Sequence, residues 1–191
     1  MFIQTEATPN PATLKFLPGQ VVLADGTADF RDSETAEAHS PLAARLFGVP
    51  GVTGVFFGYD FVTVTKDETP DWQHIKPAIL GAIMEHFMTG APVMAADEGA
   101  GADLASGEEF YDKADEDLVV TIKELLDTRV RPAVAQDGGD ITFRGYENGT
   151  VFLHMKGACA GCPSSTATLK HGIQNLLRHF VPEVQQVEQV A

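Results

Sequence analysis

Between residues 91 and 112 the apolar pattern of this 191-residue chain stops. The stretch reads APVMAADEGAGADLASGEEFYD, rich in Ala, Gly, Asp and Glu and without a sustained apolar period. Such a segment buries too little surface to offset the entropy of ordering it. It predicts a flexible acidic linker over 91–112 that extends by self-repulsion. Phe110 and Tyr111 leave one alternative, that its end caps a neighbouring domain. Either way the chain divides into residues 1–90 and 113–191, each long enough for one small domain.

Charge follows the same division. The net charge of -14 splits into -6 over 1–90, -8 over 91–117 and 0 over 118–191. No basic stripe exists to neutralise phosphates, which argues against nucleic acid and against an anionic membrane surface. No apolar run reaches the roughly 20 residues of a membrane span. The first residues, Met1 to Glu6, form neither a secretory signal nor a transit peptide. The expectation is a reducing bacterial cytoplasm, or the mitochondrial matrix if the chain is processed.

Both patterned halves mix short strands with helices, so the expected fold class is α+β, as two small domains. In the first, Phe2–Thr8 and Thr13–Leu17 read as strands around Pro9-Asn10-Pro11. Ser40-Pro41 opens a helix to Phe47, with Ser40 as cap and Pro41 at the first position. Val52–Phe57 and Phe61–Lys66 form a hairpin about Gly58-Tyr59-Asp60. Ile75, Ile79, Ile83 and Phe87 mark a helix over Trp72–Met88, capped by Asp71, with Trp72 as a core anchor and His74 and His86 on its surface. In the second, a helix starts near Asp115 and is interrupted at Pro132. Ile141–Tyr146 and Thr150–Met155 pair across Asn148-Gly149, the strongest short hairpin signal. A last helix covers Ser165–Phe180, and Val184–Val190 closes as a strand. Asp137-Gly138-Gly139-Asp140 reads as a turn feeding a strand rather than as a metal or phosphate site, and it is placed to support the cysteine loop.

Chemistry concentrates on the only two cysteines, Cys159 and Cys162, spaced C-x-x-C. Two are too few for a disulfide framework, and in a reducing compartment such a pair binds metal or does redox work. Gly157 and Gly161 allow the backbone to turn so that both thiols converge. Pro163 keeps Cys162 extended, and Ser164 and Ser165 cap the helix that follows. A helix start beside the thiols lowers their pKa and favours an anionic ligand set, such as a four-thiolate [4Fe–4S] cluster. A cluster or structural zinc takes about four protein ligands. One chain supplies two, and the simplest source of the others is the same loop of a second copy across a two-fold axis. From the residues alone, three chemistries stay open: cluster binding, thiol–disulfide exchange, and a zinc-bridged interaction module. The antiparallel hairpin before the motif departs from the βαβ context of a thioredoxin-like site. His154 enters the loop on a strand and reads as a half-exposed strand residue, not a ligand. His171 and His179 stand too far apart on their helix to chelate together.

Residues 136–165, Q-DGGDI-F-G-ENG-V-L-KGACAGCPSS, resemble the C-terminal cluster-binding domain of NifU. Residues 1–90, with TPNP-TLKFLPG, SPLA, GV-F-G-DF-TVTK and W-KP, resemble the N-terminal domain of Nfu-type scaffold proteins. The resemblance covers nearly all of the chain outside the linker. It implies a non-enzymatic homodimer that bridges one [4Fe–4S] cluster through Cys159 and Cys162. It further implies donation to apo iron–sulfur client proteins, and an upstream assembly scaffold is expected as a partner, with assembly on this chain and receipt ready-made both open. The two-domain layout would let residues 1–90 hold a client while 113–191 deliver.

Overall fold

A computed structural model describes residues 1–96, 108–161 and 163–190. It has two compact units, Met1–Ala105 and Ser106–Ala191, each with its own core. Residues 97–107, the middle of the expected linker, and Cys162 lie outside the described residues. The flanks of that linker are packed. Val93 and Met94 lie against the first core, and Ala95 N–H donates to the His39 carbonyl (2.8 Å). Phe110 exchanges backbone hydrogen bonds with Arg144 and Tyr146, and its ring sits 5.1 Å from Phe152. The apolar residues at each end thus find partners that composition alone could not show.

The first unit is a five-stranded antiparallel sheet in the order β1 (Gln4–Ala7), β2 (Thr13–Leu17), β5 (Val62–Lys66), β4 (Val52–Phe57), β3 (Ala28–Phe30). Helices α1 (Ser33–His39), α2 (Pro41–Phe47) and α3 (Trp72–Thr89) supply most of the rest of its core, with Val22, Leu23 and Val49 added from loops. β3 and α1 carry no sequence signal in the reading above. α1 is held by its cap, where Asp32 Oδ1 accepts from Thr35 N–H (2.7 Å). Ser40 caps α2 through Ala43 N–H as expected, whereas Asp71 makes no side-chain cap on α3. Trp72 packs on the core and donates its indole N–H to the Pro11 carbonyl (3.0 Å). On α3, Ile75, Ile79 and Ile83 bury as the period requires, but the next fully buried residue is His86, not Phe87.

The second unit begins with a 3-10 turn (Lys113–Asp115), then α4 (Glu116–Leu125), a wide π-type turn (Leu126–Val130) and α5 (Arg131–Gln136). Pro132 explains the wide turn: it lacks an N–H and is tolerated only where a new helix starts. Arg131 N–H accordingly reaches back to the Leu126 carbonyl. β6 (Gly139–Glu147) and β7 (Thr150–Gly157) pair antiparallel around Asn148 and Gly149, both at positive φ (50° and 80°). α6 (Pro163–Phe180) then crosses over, and β8 (Gln186–Val190) returns parallel to β7, giving the order β6-β7-β8. The expected antiparallel surroundings of the cysteine motif are therefore only half the picture. It sits at the strand-to-helix junction of a β7–α6–β8 crossover. The apolar rows of β6 and β7 (Ile141, Phe143, Val151, Leu153, Met155) meet Ile122 and Val134 and, on α6, Ile173 and Leu177. Each such side chain contributes up to about 1.5–3 kcal/mol on burial.

His86 gives this architecture a pH dependence. Burial, with Arg45 adding to it, holds its imidazole below the ordinary value of 6.5. Above pH 6.5 the residue is neutral in both folded and unfolded chains. Below it the unfolded chain takes up a proton that the folded chain refuses, so stability falls as pH drops from 6.5 toward the folded value. Melting curves at pH 7.5 and 5.5 should show a larger acid loss for the native chain than for His86→Gln. Equal losses would remove His86 from the account.

Candidate metal centre

The cysteine loop is the connection from β7 to α6, and it is built on the ends of two strands. Gly139 and Gly157 pair at the last rung of the β6–β7 ladder. Gly157 then turns at φ 60°, and Gly161 at φ 86°. Three backbone bonds fold the segment back: Ala158 N–H to the Gly138 carbonyl (3.1 Å), Cys159 N–H to Lys156 (3.3 Å) and Ala160 N–H to Gly157 (3.1 Å). Thr166 Oγ1, in the first turns of α6, donates to the Cys159 carbonyl (3.2 Å). The loop is thereby tied to both the strand before it and the helix after it.

Cys159 packs inward. Its side chain joins the core of the second unit and is 7% exposed. A Cβ added at Gly139 would lie 2.5 Å from Cys159 Sγ and 2.8 Å from the Lys156 carbonyl oxygen. Gly139 is thus the seat of the thiol, and any side chain there would displace it. The turn before it, with Gly138 at φ 81°, is a turn as expected, and it supports the loop from below.

That turn is itself clamped. Arg131 at the start of α5 holds Asp140 in a two-point ion pair, Nε to Oδ1 and Nη2 to Oδ2, both 2.9 Å. Nη1 reaches Asp127 (3.1 Å), and Asp140 Oδ1 also accepts Ile141 N–H (2.8 Å). Asp140 is 4% exposed, so the guanidinium fork stabilises a carboxylate that burial would otherwise penalise. The same pair raises the Arg131 pKa. The pairing joins residues nine apart across a helix and a turn, and no local motif announces it.

The electrostatics overturn one expectation. Cys159 is pushed up to about 12, first by burial and then by the negative charges of Asp137 and Asp140. A helix start does lower thiol pKa, but removing the thiol from water outweighs it here. In the free chain Cys159 is a neutral thiol. The serines differ in role too: α6 begins at Pro163, so Ser164 and Ser165 lie inside its first turn rather than at its cap.

The histidines do not add a cluster of ligands to the loop among the described residues. His154 lies on β7 with its Nδ1 3.4 Å from Arg144 Nη2, a half-buried strand residue as expected. His171 and His179 lie along α6, and His86 is buried in the other unit. Among the described residues, no group of three or more His, Cys, Asp or Glu is placed to hold a metal ion. A soft thiolate donor on a glycine seat, with a second cysteine three positions on, suits iron or zinc in donor type.

Residues 3–90 match the family described as scaffold protein Nfu/NifU N terminal, and residues 122–188 match the NifU-like domain. The chain is 54% identical over 191 residues to a Drosophila erecta protein named NFU1 iron-sulfur cluster scaffold homolog, mitochondrial, covering 100% of this chain and 65% of that one. The Drosophila virilis protein of the same name is 52% identical, with 100% and 62% covered. The chain thus spans 62% to 65% of the length of these relatives. A solution NMR structure of a NifU-like protein from Saccharomyces cerevisiae aligns with 50% of this chain and 86% of its own, at 31% identity and a TM-score of 0.46. With both domain patterns present in order, around the cysteine loop built above, the chain belongs to the Nfu/NifU-like family.

Proposed function

We propose that two copies of this chain share one [4Fe–4S] cluster through Cys159 and Cys162 of each, and pass it to apo iron–sulfur proteins. The cluster is cargo, received from an upstream assembly scaffold, and the chain turns over no small substrate. The observation that carries this reading is the half-site. The chain has two cysteines in all, three positions apart in a loop whose seat is shaped for a sulfur atom. Four thiolate ligands then require two loops, and a two-fold axis supplies them. The names of the relatives support the scaffold role, and their mitochondrial designation favours the matrix over a bacterial cytoplasm. Among the described residues no helix is long and apolar enough to cross a membrane.

Delivery is thiolate exchange. An acceptor cysteine loses its proton as its sulfur bonds iron, and the displaced Cys159 or Cys162 sulfur takes a proton up. Iron, sulfide and charge are conserved, and no oxidant or reductant is needed. Because the cargo joins two chains, loading and dimer formation are linked.

One observation favours a second reading. The β7–α6–β8 crossover places C-x-x-C where a thioredoxin-like redox pair would sit. Against it, a buried thiol with a pKa near 12 is a poor nucleophile at neutral pH.

Anaerobic reconstitution with iron and sulfide should give about four of each per dimer, and Cys159→Ser or Cys162→Ser should abolish it. A colourless chain that cycles between dithiol and disulfide would establish the second reading instead. Gly139→Ala should cost about 1–3 kcal/mol in urea unfolding by overpacking the seat, and it should reduce cluster loading at the same time. Loading equal to the native chain would mean that Sγ is not held there in the loaded state. Deleting residues 1–90 should slow delivery while leaving loading intact, and an unchanged delivery rate would remove any client-holding role for the first domain.

A further inference from the structure

Beside the cysteine loop, an open groove of about 790 Å³ runs between α6 and β8. Its lining includes Gly161, Thr166, Lys170, Gln174, Val187 and Gln189. One end therefore opens on the glycine between the two cysteines. One wall is the outer edge of β8, the last strand in the order β6-β7-β8.

The hydrogen-bond directions along β8 are settled by two contacts. Gln186 N–H points inward, to the Gly149 carbonyl (3.2 Å). Val187 N–H points outward, to Gln174 Oε1 (3.2 Å). Alternation along a strand then sends the N–H and carbonyl of Gln189 outward as well. At Val187 a glutamine side-chain oxygen stands where a neighbouring strand's carbonyl would be. An edge with outward donors and acceptors is a template for another strand. Lys170 and Glu188 neutralise each other at 2.8 Å, and His171 is the remaining ionisable side chain of the lining, so the groove offers chiefly main-chain and amide hydrogen bonds.

A second copy is a poor occupant. Two identical edges pair antiparallel about a two-fold axis, which sends their cysteine loops to opposite ends. With the pairing centred on Glu188, opposite Phe152, each loop begins beyond Gly157, five residues on. At 3.3 Å per residue the two loops would stand about 30 Å apart along the strands, too far to share one cluster. A dimer bridged by a cluster is therefore not one that pairs through its β8 edges.

We propose that the β8–α6 groove receives an extended, uncharged segment of the acceptor polypeptide, which adds as a strand to β8. A cysteine at the end of that segment is thereby delivered to the loop at Gly161. This inference rests on the carrier reading above for its purpose, but not for its test. Main-chain bonds to Val187 and Gln189 supply affinity, and side-chain identity matters little, which suits a protein that serves more than one acceptor.

The test starts with the full chain, free of cluster and under reducing conditions, and a blocked heptapeptide Thr-Val-Thr-Cys-Thr-Val-Thr. Saturating peptide should slow amide hydrogen exchange at Val187 and Gln189 by at least about tenfold. Unchanged exchange there, or protection confined to another surface, overturns the proposal. Gln189→Pro removes one outward donor from an edge position where proline is tolerated, so the fold should persist. It should weaken peptide binding about tenfold, while Gln189→Ala, which keeps the N–H, binds as the native chain does. Equal weakening by both variants would place the effect in the side chain and overturn strand addition. In cluster-loaded chains, Gln189→Pro should hold the same iron and sulfide per dimer and transfer about tenfold more slowly to an apo-ferredoxin. Equal transfer rates, or loss of the dimer in this variant, also overturn it. If the chain takes up no cluster the carrier reading fails, yet the peptide arm still decides whether the groove binds a strand.

Discussion

The contact of Cys159 Sγ with the backbone at Gly139 sets the geometry on which the second unit's chemistry depends. It brings together the first residue of β6, the end of β7 and the loop to α6. The space is one hydrogen wide, since even a methyl group at Gly139 would overlap the sulfur. The Arg131–Asp140 fork fixes the turn from one side, and Thr166 fixes the loop from the other. A change in any of these moves the thiol before it touches the ligand itself.

The same seat explains the state of the thiol. Packed inside and facing Asp137 and Asp140, Cys159 stays protonated in the free chain. A metal ion changes the balance because it binds the thiolate and releases the proton. The free Cys159 thiol is thus chemically quiet, and in the proposed carrier it becomes a ligand only when iron arrives. That behaviour fits a carrier, which must spend time empty without being oxidised, better than it fits a redox catalyst.

Much of the fold was legible in the sequence because its signals are local. Asn148-Gly149 located the second hairpin, Ser40-Pro41 the start of α2, and the four-residue spacing of Ile75, Ile79 and Ile83 the buried face of α3. β3 and α1 were missed because Ala28–Phe30 is only three residues long and Ser33–His39 carries one buried side chain, Ala36. His86 was misplaced to the surface because helical period alone does not choose between neighbours at its edge. In the site, the cysteines, the flanking glycines and the supporting turn could be read directly. The direction of the Cys159 pKa could not, because it depends on burial by residues far apart in sequence. Nor could the Arg131–Asp140 clamp or the parallel return of β8, which are products of tertiary folding.

Two separate surfaces follow from one loop. In the proposed carrier the cysteines are shared with a second copy, while the β8 edge is assigned to a third chain. On the proposed reading, sharing the cargo across a two-fold axis would make it removable, since each chain would contribute only half of the grip. Native mass spectrometry of the anaerobically reconstituted chain tests this most directly. The account predicts one loaded species, two chains plus four irons and four sulfides, that falls to bare single chains when the cluster is stripped. A loaded species containing a single chain, or a dimer that persists with unchanged stability once iron and sulfide are stripped, would contradict it.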